Sequence, residues 1–191
     1  MEIDENDLID KALKSREAFE KFVHLYYGEV LNYIYRRTFD RNVSEDLTQE
    51  TFLKVFNNLH SFKRKCPLIF WILRIATNVV NNYYRKEIRN RKQKEKLKNN
   101  LPVEDITQEE SSYKILHEHI KNLKPAYQTV IILRFFSNAS NEEIAAVLNK
   151  TPVTARRTFY RALDALKKDI EESVTDLEIL RLIYGDKNEK G

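Results

Sequence analysis

Three arginines, Arg156, Arg157 and Arg161, fall within one short stretch that also holds Thr151, Thr154 and Tyr160. A guanidinium fork can donate two parallel hydrogen bonds to the edge of a guanine, and a threonine methyl can meet the methyl of a thymine. The same cations neutralise phosphates whatever the sequence. The chemistry on offer is duplex DNA recognition, and the bland alternative is a helical hairpin with a solvated basic face. The local pattern is compatible with both.

A second constellation is "SEDLTQETFLKVF", Ser44–Phe56. Asp46, Gln49 and Glu50 form a row apart from the apolar positions Leu47, Phe52, Val55 and Phe56. Such a row suits docking against a basic protein partner, or it is a solvated acidic face. A third, "FKRKCPLIFWILRIATNVVNNYYRKEIRNRKQ", Phe62–Gln93, interleaves aromatics with cations. Unpaired bases stack on aromatic faces while cations track phosphates, but a helix packed on a core also shows aromatics. Phe70 and Trp71 are adjacent, so at most one is expected to point fully inward.

These residues need elements to hold them. Ser140 and Glu143 form an S-x-x-E capping box, which starts a short helix at Asn141. Asn149 can take the left-handed conformation that ends it. Thr151 then caps a new helix with Pro152 at its first position. Ala155, Phe159, Ala162, Leu163, Leu166 and Ile170 share one side of that helix, leaving Thr154, Arg156, Arg157 and Tyr160 on the others. A short helix, a tight turn and a longer basic helix over about 141–161 make a helix-turn-helix.

Upstream, the pattern predicts a helix over about 7–37, broken near Gly28. A second opens at Ser44 as N-cap, with Glu45 and Asp46 in its first turn, and a third starts near Pro67. The run "RKEIRNRKQKEKLK", Arg85–Lys98, has eight Lys or Arg against two Glu, and "NNLPVEDITQEE", Asn99–Glu110, has four acids and no basic residue. That switch predicts a flexible linker over 99–110. The expected organisation is all-α: a helical domain over 1–98 and a second of four helices over 111–185.

Bulk composition removes other classes. With only three Gly and four Pro in 191 residues, few loops are expected. No apolar run approaches the roughly 20 residues that span a bilayer, and the acidic start "MEIDENDLID" lacks a signal peptide's apolar core. A lone Cys66 allows no internal disulfide and fits a reducing, cytoplasmic setting. No metal-ligand set is evident: His117 and His119, two apart, face different sides of a helix and are expected to be solvated. No catalytic residue, metal or cofactor is expected.

Taken in order, these segments resemble the sigma-70 class of RNA polymerase sigma factors, in its short extracytoplasmic-function group. The resemblance rests on "AFEKFVHLYYGEVLNYIYRR", "SEDLTQETFLKVFNNLHSF", "FWILRIATNVVNNYYRK" and "LKPAYQTVIILRFF" followed by the helix-turn-helix, and it covers about 15–170. It implies that Asp46, Leu47, Gln49, Glu50 and Phe52 bind core RNA polymerase. It implies that Trp71, Arg74 and Asn78, with Lys63 and Arg64 before them, take the melted −10 promoter element. It implies that Thr151, Thr154, Arg156, Arg157, Tyr160 and Arg161, with Ala162, form the helix that reads the −35 element. The chain departs from the family with Val153-Thr154-Ala155 where Gly-Thr-Val is usual, and with Asn82 or Asn81 standing where an aspartate is usual. Members are often held inactive by an anti-sigma factor. The rival within DNA binding is a stand-alone repressor or activator, which would leave the Asp46–Phe56 face without a task.

Overall fold

The computed structural model describes residues 5–94 and 108–172, with side chains described over 5–90 and 115–172. Among the described residues every element is helical: α1 Glu5–Ala12, α2 Arg16–Thr38, α3 Arg41–Asn58, a 3-10 turn Leu59–Ser61, α4 Leu68–Lys94, α5 Gln108–Asn122, α6 Pro125–Phe136, α7 Asn141–Leu148 and α8 Pro152–Glu172. The all-α expectation holds. Of the expected linker, 99–107 lies outside the described residues and 108–110 is already in α5; 173–185 of the expected second domain also lies outside.

Helix starts in the first half differ from the sequence reading, each for a local reason. The long first helix breaks at Ser15, not at Gly28. The Ser15 hydroxyl accepts from the Ala18 amide at 3.3 Å and caps α2, while Gly28 sits inside α2 with open space where a Cβ would go. Helix α3 begins at Arg41 with Asp40 as N-cap, its carboxylate accepting from the Val43 amide at 2.9 Å. Ser44 is therefore not a cap. It is buried one turn inside, hydrogen-bonded to the Asp40 carbonyl and the Thr38 hydroxyl. Pro67 lies just before α4, and Glu5 of α1 accepts from the Leu68 amide at 3.3 Å.

The polar residues of Ser44–Phe56 divide by face. Ser44, Leu47, Thr48, Thr51, Phe52 and Val55 are buried. Thr48 and Thr51 each donate to the carbonyl four residues back at 2.7 Å, so their hydroxyls are satisfied without a partner helix. These small side chains let α3 pack along α2 and α4.

Helix α4 is buried on more than one side, which explains why Phe70 and Trp71 are both inside, at 7% and 5% exposure. It packs against α2 and α3, and also against α7. Two adjacent side chains can thus both be enclosed. The same reasoning corrects the two histidines of α5, which are buried rather than solvated. His117 stacks on Phe39, which follows α2, and His119 meets Asp169 of α8 at 2.8 Å.

Helices α6, α7 and α8 pack mutually around Val130, Leu133, Ile144, Val147, Ala155 and Leu166. This group meets the first through α4 with α7 and through α2 with α5 and α6, and one continuous set of buried residues runs through both.

Candidate nucleic-acid and polymerase interfaces

The helix-turn-helix is fixed at each joint. The Ser140 amide donates to Glu143 at 2.7 Å and the Glu143 amide to the Ser140 hydroxyl at 3.2 Å, completing the capping box. Asn149 ends α7 at φ 53°, ψ 50°, and the Lys150 amide reaches back to the Ala145 carbonyl at 2.9 Å. The Thr151 hydroxyl accepts from the Thr154 amide at 3.2 Å and caps α8. Ala155, Ala162, Leu166 and Ile170 anchor α8, Ala155 and Ala162 leaving no exposed surface.

On the open side, Thr151, Thr154, Arg156, Arg157, Tyr160 and Arg161 are all exposed. None of the three guanidinium groups is ion-paired among the described residues. Six of the residues expected at the −35 element thus share the accessible part of one helix. Ala162 does not: it packs inside and can only set how α8 sits.

The residues expected at polymerase divide in the same way. Asp46 and Gln49 are exposed, and Glu50 is half-buried and paired with Lys54 at 2.7 Å. Leu47 and Phe52 are core, both 6% exposed. The outward side of α3 is completed instead by Leu53 and Phe56, exposed at 66% and 54%, with exposed Leu25 on neighbouring α2. Phe56 leans edge-on against Phe19 at 4.9 Å between ring centres. One continuous strip therefore runs from acid to apolar along α3. Leu53 was detectable in the sequence as an apolar residue on the Asp46 side of the helix; Phe56 was assigned to the core.

The expected −10 residues are not together on an open surface. Lys63 and Asn78 are exposed, and Arg64, at φ 54°, pairs with Asp10 of α1 at 2.8 Å. Trp71 is tilted against Phe62 at 5.4 Å, and Arg74 is half-buried. Trp71, Arg74 and Cys66 line a cavity of about 350 Å³ whose far wall is Glu142, Glu143, Ala145 and Ala146 of α7. Burial pushes the Cys66 thiol pKa up, and the Arg74 charge opposes that shift.

Similarity to known proteins follows this division. Residues 22–90 match the model of sigma-70 region 2, and residues 113–166 match that of sigma-70 region 4. The chain is 32% identical over 169 residues to RNA polymerase sigma factor YlaC of Bacillus subtilis, covering 84% of this chain and 96% of that protein. The chain belongs to the sigma-70 family, in its extracytoplasmic-function group. It is also 27% identical over 175 residues to the ECF sigma factor SigX of the same organism, covering 85% and 90% of the two chains. Among solved structures the fold is similar to CnrH, in complex with the cytosolic domain of CnrY, at 21% identity and a TM-score of 0.63 over 86% of this chain and 96% of that one. It is also similar to RpoE from Bartonella quintana, in complex with the anti-sigma factor NepR, at 20% identity and a TM-score of 0.62 over 80% and 96%.

The protein is a promoter-directing sigma factor whose partners are core RNA polymerase and promoter DNA. Among the described residues no helix is long and apolar enough to cross a membrane, and no group of three or more His, Cys, Asp or Glu could hold a metal ion.

Proposed function

We propose a division of labour between three surfaces. The α3 strip of Asp46, Gln49, Glu50, Leu53 and Phe56 docks on core polymerase. The α8 row of Thr151, Thr154, Arg156, Arg157, Tyr160 and Arg161 reads the −35 duplex. The α4 residues Trp71, Arg74 and Asn78, with Lys63 and Arg64, take the unpaired strand of the −10 element and so favour the melted promoter. The observation that carries this reading is the α8 row, six exposed residues without internal ion pairs on a doubly capped scaffold. Leu47, Phe52 and Ala162 act on these surfaces from within, by positioning them.

The mechanism is differential binding, with no bond chemistry of its own. Capturing unpaired bases lowers the free energy of the melted promoter and has no equal counterpart in the duplex. The two domains are the helical group α1–α4 and the helical group α5–α8, and the protein works in the cytoplasm. An anti-sigma factor is a fitting regulator, since RpoE of Bartonella quintana forms such a complex.

Purified chain mixed with bacterial core polymerase and a library of promoter fragments tests the reading. Specific initiation from a subset of fragments is expected. Sequence-specific DNA binding without any effect of polymerase would favour a stand-alone repressor or activator.

A further inference from the structure

Loop 62–67 joins the 3-10 turn to α4 and holds three consecutive cations, Lys63, Arg64 and Lys65, all exposed. At its start Phe62 is half-buried against Trp71, and near its end Cys66 is half-buried. Arg64 stands between them at φ 54°, a left-handed conformation that a residue with a Cβ keeps only where its surroundings impose it. Three like charges side by side repel one another, and the loop has no glycine to ease the turn.

The groups that impose this shape come from α1. Arg64 Nη2 donates to Asp10 Oδ1 at 2.8 Å. Glu5 Oε2 accepts from the Leu68 amide at 3.3 Å, which closes the far end of the loop onto the start of α4. The other Glu5 oxygen accepts from the Tyr26 hydroxyl of α2 at 3.5 Å, and Ile9 and Ala12 are buried, so α1 is itself anchored. An open cleft of about 350 Å³ lies between Glu5, Asn6 and Ile9 on one side and Phe62, Arg64 and Lys65 on the other. The loop is thus tied to α1 at two polar points rather than packed along its length. Both acids precede the 22–90 segment that matches sigma-70 region 2.

A tether of this kind matters to a flexible ligand. An unpaired strand carries its bases on a mobile backbone, and a preformed row of cations fixes which base meets which side chain at a smaller ordering cost. Asp10 engages Nη2 of Arg64, and further guanidinium N–H groups remain for a phosphate.

We propose that Glu5 and Asp10 are positioning residues for the −10 strand: through α1 they set loop 62–67 so that Lys63, Arg64 and Lys65 hold the phosphates in one register. This role rests on the assignment of Lys63 and Arg64 to the unpaired strand. The tether itself does not.

The full-length chain, bound to core polymerase and offered a pool of fork-junction DNA randomised in the unpaired strand, should enrich particular bases. Glu5→Ala with Asp10→Ala should flatten that enrichment about fivefold, the size expected when a helix cap is lost. Retention by core polymerase and binding to −35 duplex should persist. Glu5→Gln with Asp10→Glu keeps an acceptor for the Leu68 amide and a carboxylate for Arg64, and should restore most of the enrichment. A helix α1 that served folding alone would lower the unfolding midpoint and leave the base profile as it was, and that result would overturn the positioning role. The tether is read separately, without DNA, from the rate at which a maleimide labels Cys66, the sole cysteine. Asp10→Ala should quicken labelling about threefold, as befits an exposed ion pair, and an unchanged rate would overturn the tether. Glu5 is left intact in that assay: burial raises the thiol pKa, the Arg74 charge opposes this and the Glu5 charge adds to it, so its removal would alter reactivity directly. Arg64→Ala identifies which reading fails. An unaltered base profile in that variant would remove the loop from the −10 strand and the positioning role with it, while the labelling rate still decides whether α1 holds the loop.

Discussion

The His117 imidazole stacks on the Phe39 ring at 4.6 Å between centres and 24° between planes, with neither ring nitrogen hydrogen-bonded. Its nearest carboxylate is Glu118, 3.8 Å from Nδ1. Burial lowers the His117 pKa; the Glu118 charge and the backbone of Arg37 oppose this, and the charge of Lys121 adds to it. The folded chain therefore binds this proton less readily than the unfolded chain. Above the ordinary histidine value, about 6.5, both states are neutral and the contact is fully present. As pH falls below it the unfolded state takes up the proton first, and stability is lost until the lowered folded value is passed. Glu29 works oppositely, because burial raises its pKa and folding then favours its proton. Urea unfolding between pH 7.5 and 5.5 should show the loss, and His117→Phe should flatten it. An unchanged pH slope in His117→Phe would place the effect elsewhere.

The α3 strip separates docking from folding. Leu53→Asp alters an exposed side chain, and losing its burial against a partner should cost about 1.5–3 kcal/mol of polymerase affinity, with the unfolding midpoint unchanged. Phe52→Ala should do the reverse, since the ring is core and stacks on Tyr27; about 3–5 kcal/mol of stability is at stake. Asp46→Lys is a cleaner charge reversal than Glu50→Lys, because Glu50 already pairs with Lys54. Titration of core polymerase beside urea unfolding checks all three. Wild-type affinity in Leu53→Asp would remove it from the docking surface.

What could be read in the sequence was local. The capping box at Ser140, the left-handed Asn149 and the Thr151 cap depend on neighbours within a few residues, and each is found where its spacing predicts. The burial of Ser44, Thr48 and Thr51 was hidden, because hydroxyls that bond their own helix look polar in a sequence. The inward turn of both Phe70 and Trp71 was hidden too, since it depends on α7 meeting α4 from far along the chain. Arg37 gave no signal at all. At the end of α2 it reads as a cation complementing the helix dipole, yet its guanidinium is enclosed by acceptors from α4 and α6.

On α8 the exposed and buried positions predict different losses. Arg156→Ala should weaken binding to a −35 duplex by about 1–3 kcal/mol and relax specificity at one position if the guanidinium meets a base. If it meets phosphate alone, the loss should be nearly uniform across sequences and the salt slope should shrink by about one unit. Ala162→Leu, at a position without exposed surface, should instead lower stability by about 1–3 kcal/mol through overpacking. Fluorescence anisotropy at several salt concentrations distinguishes these cases, and unchanged binding in Arg156→Ala would displace α8 from the groove.

Asn78 offers the cleanest approach to melting. It lies one turn beyond Arg74 on α4 and is exposed, whereas Trp71 is packed on Phe62 inside the fold. Trp71→Ala would lose about 3–5 kcal/mol of stability and confuse folding with function. Asn78→Ala removes an amide that can bond a base edge and disturbs no packed neighbour. Polymerase binding and −35 recognition should therefore persist while open complexes form more slowly. A promoter carrying a pre-melted −10 bubble should recover only part of the rate, because the contact to the unpaired base is still missing. Permanganate reactivity of unpaired thymines, followed over time with the Asn78→Ala holoenzyme, measures the step directly. Reactivity that appears at the wild-type rate would show Asn78 to be a helix-surface residue and would confine −10 capture to Trp71, Arg74 and the cations before them.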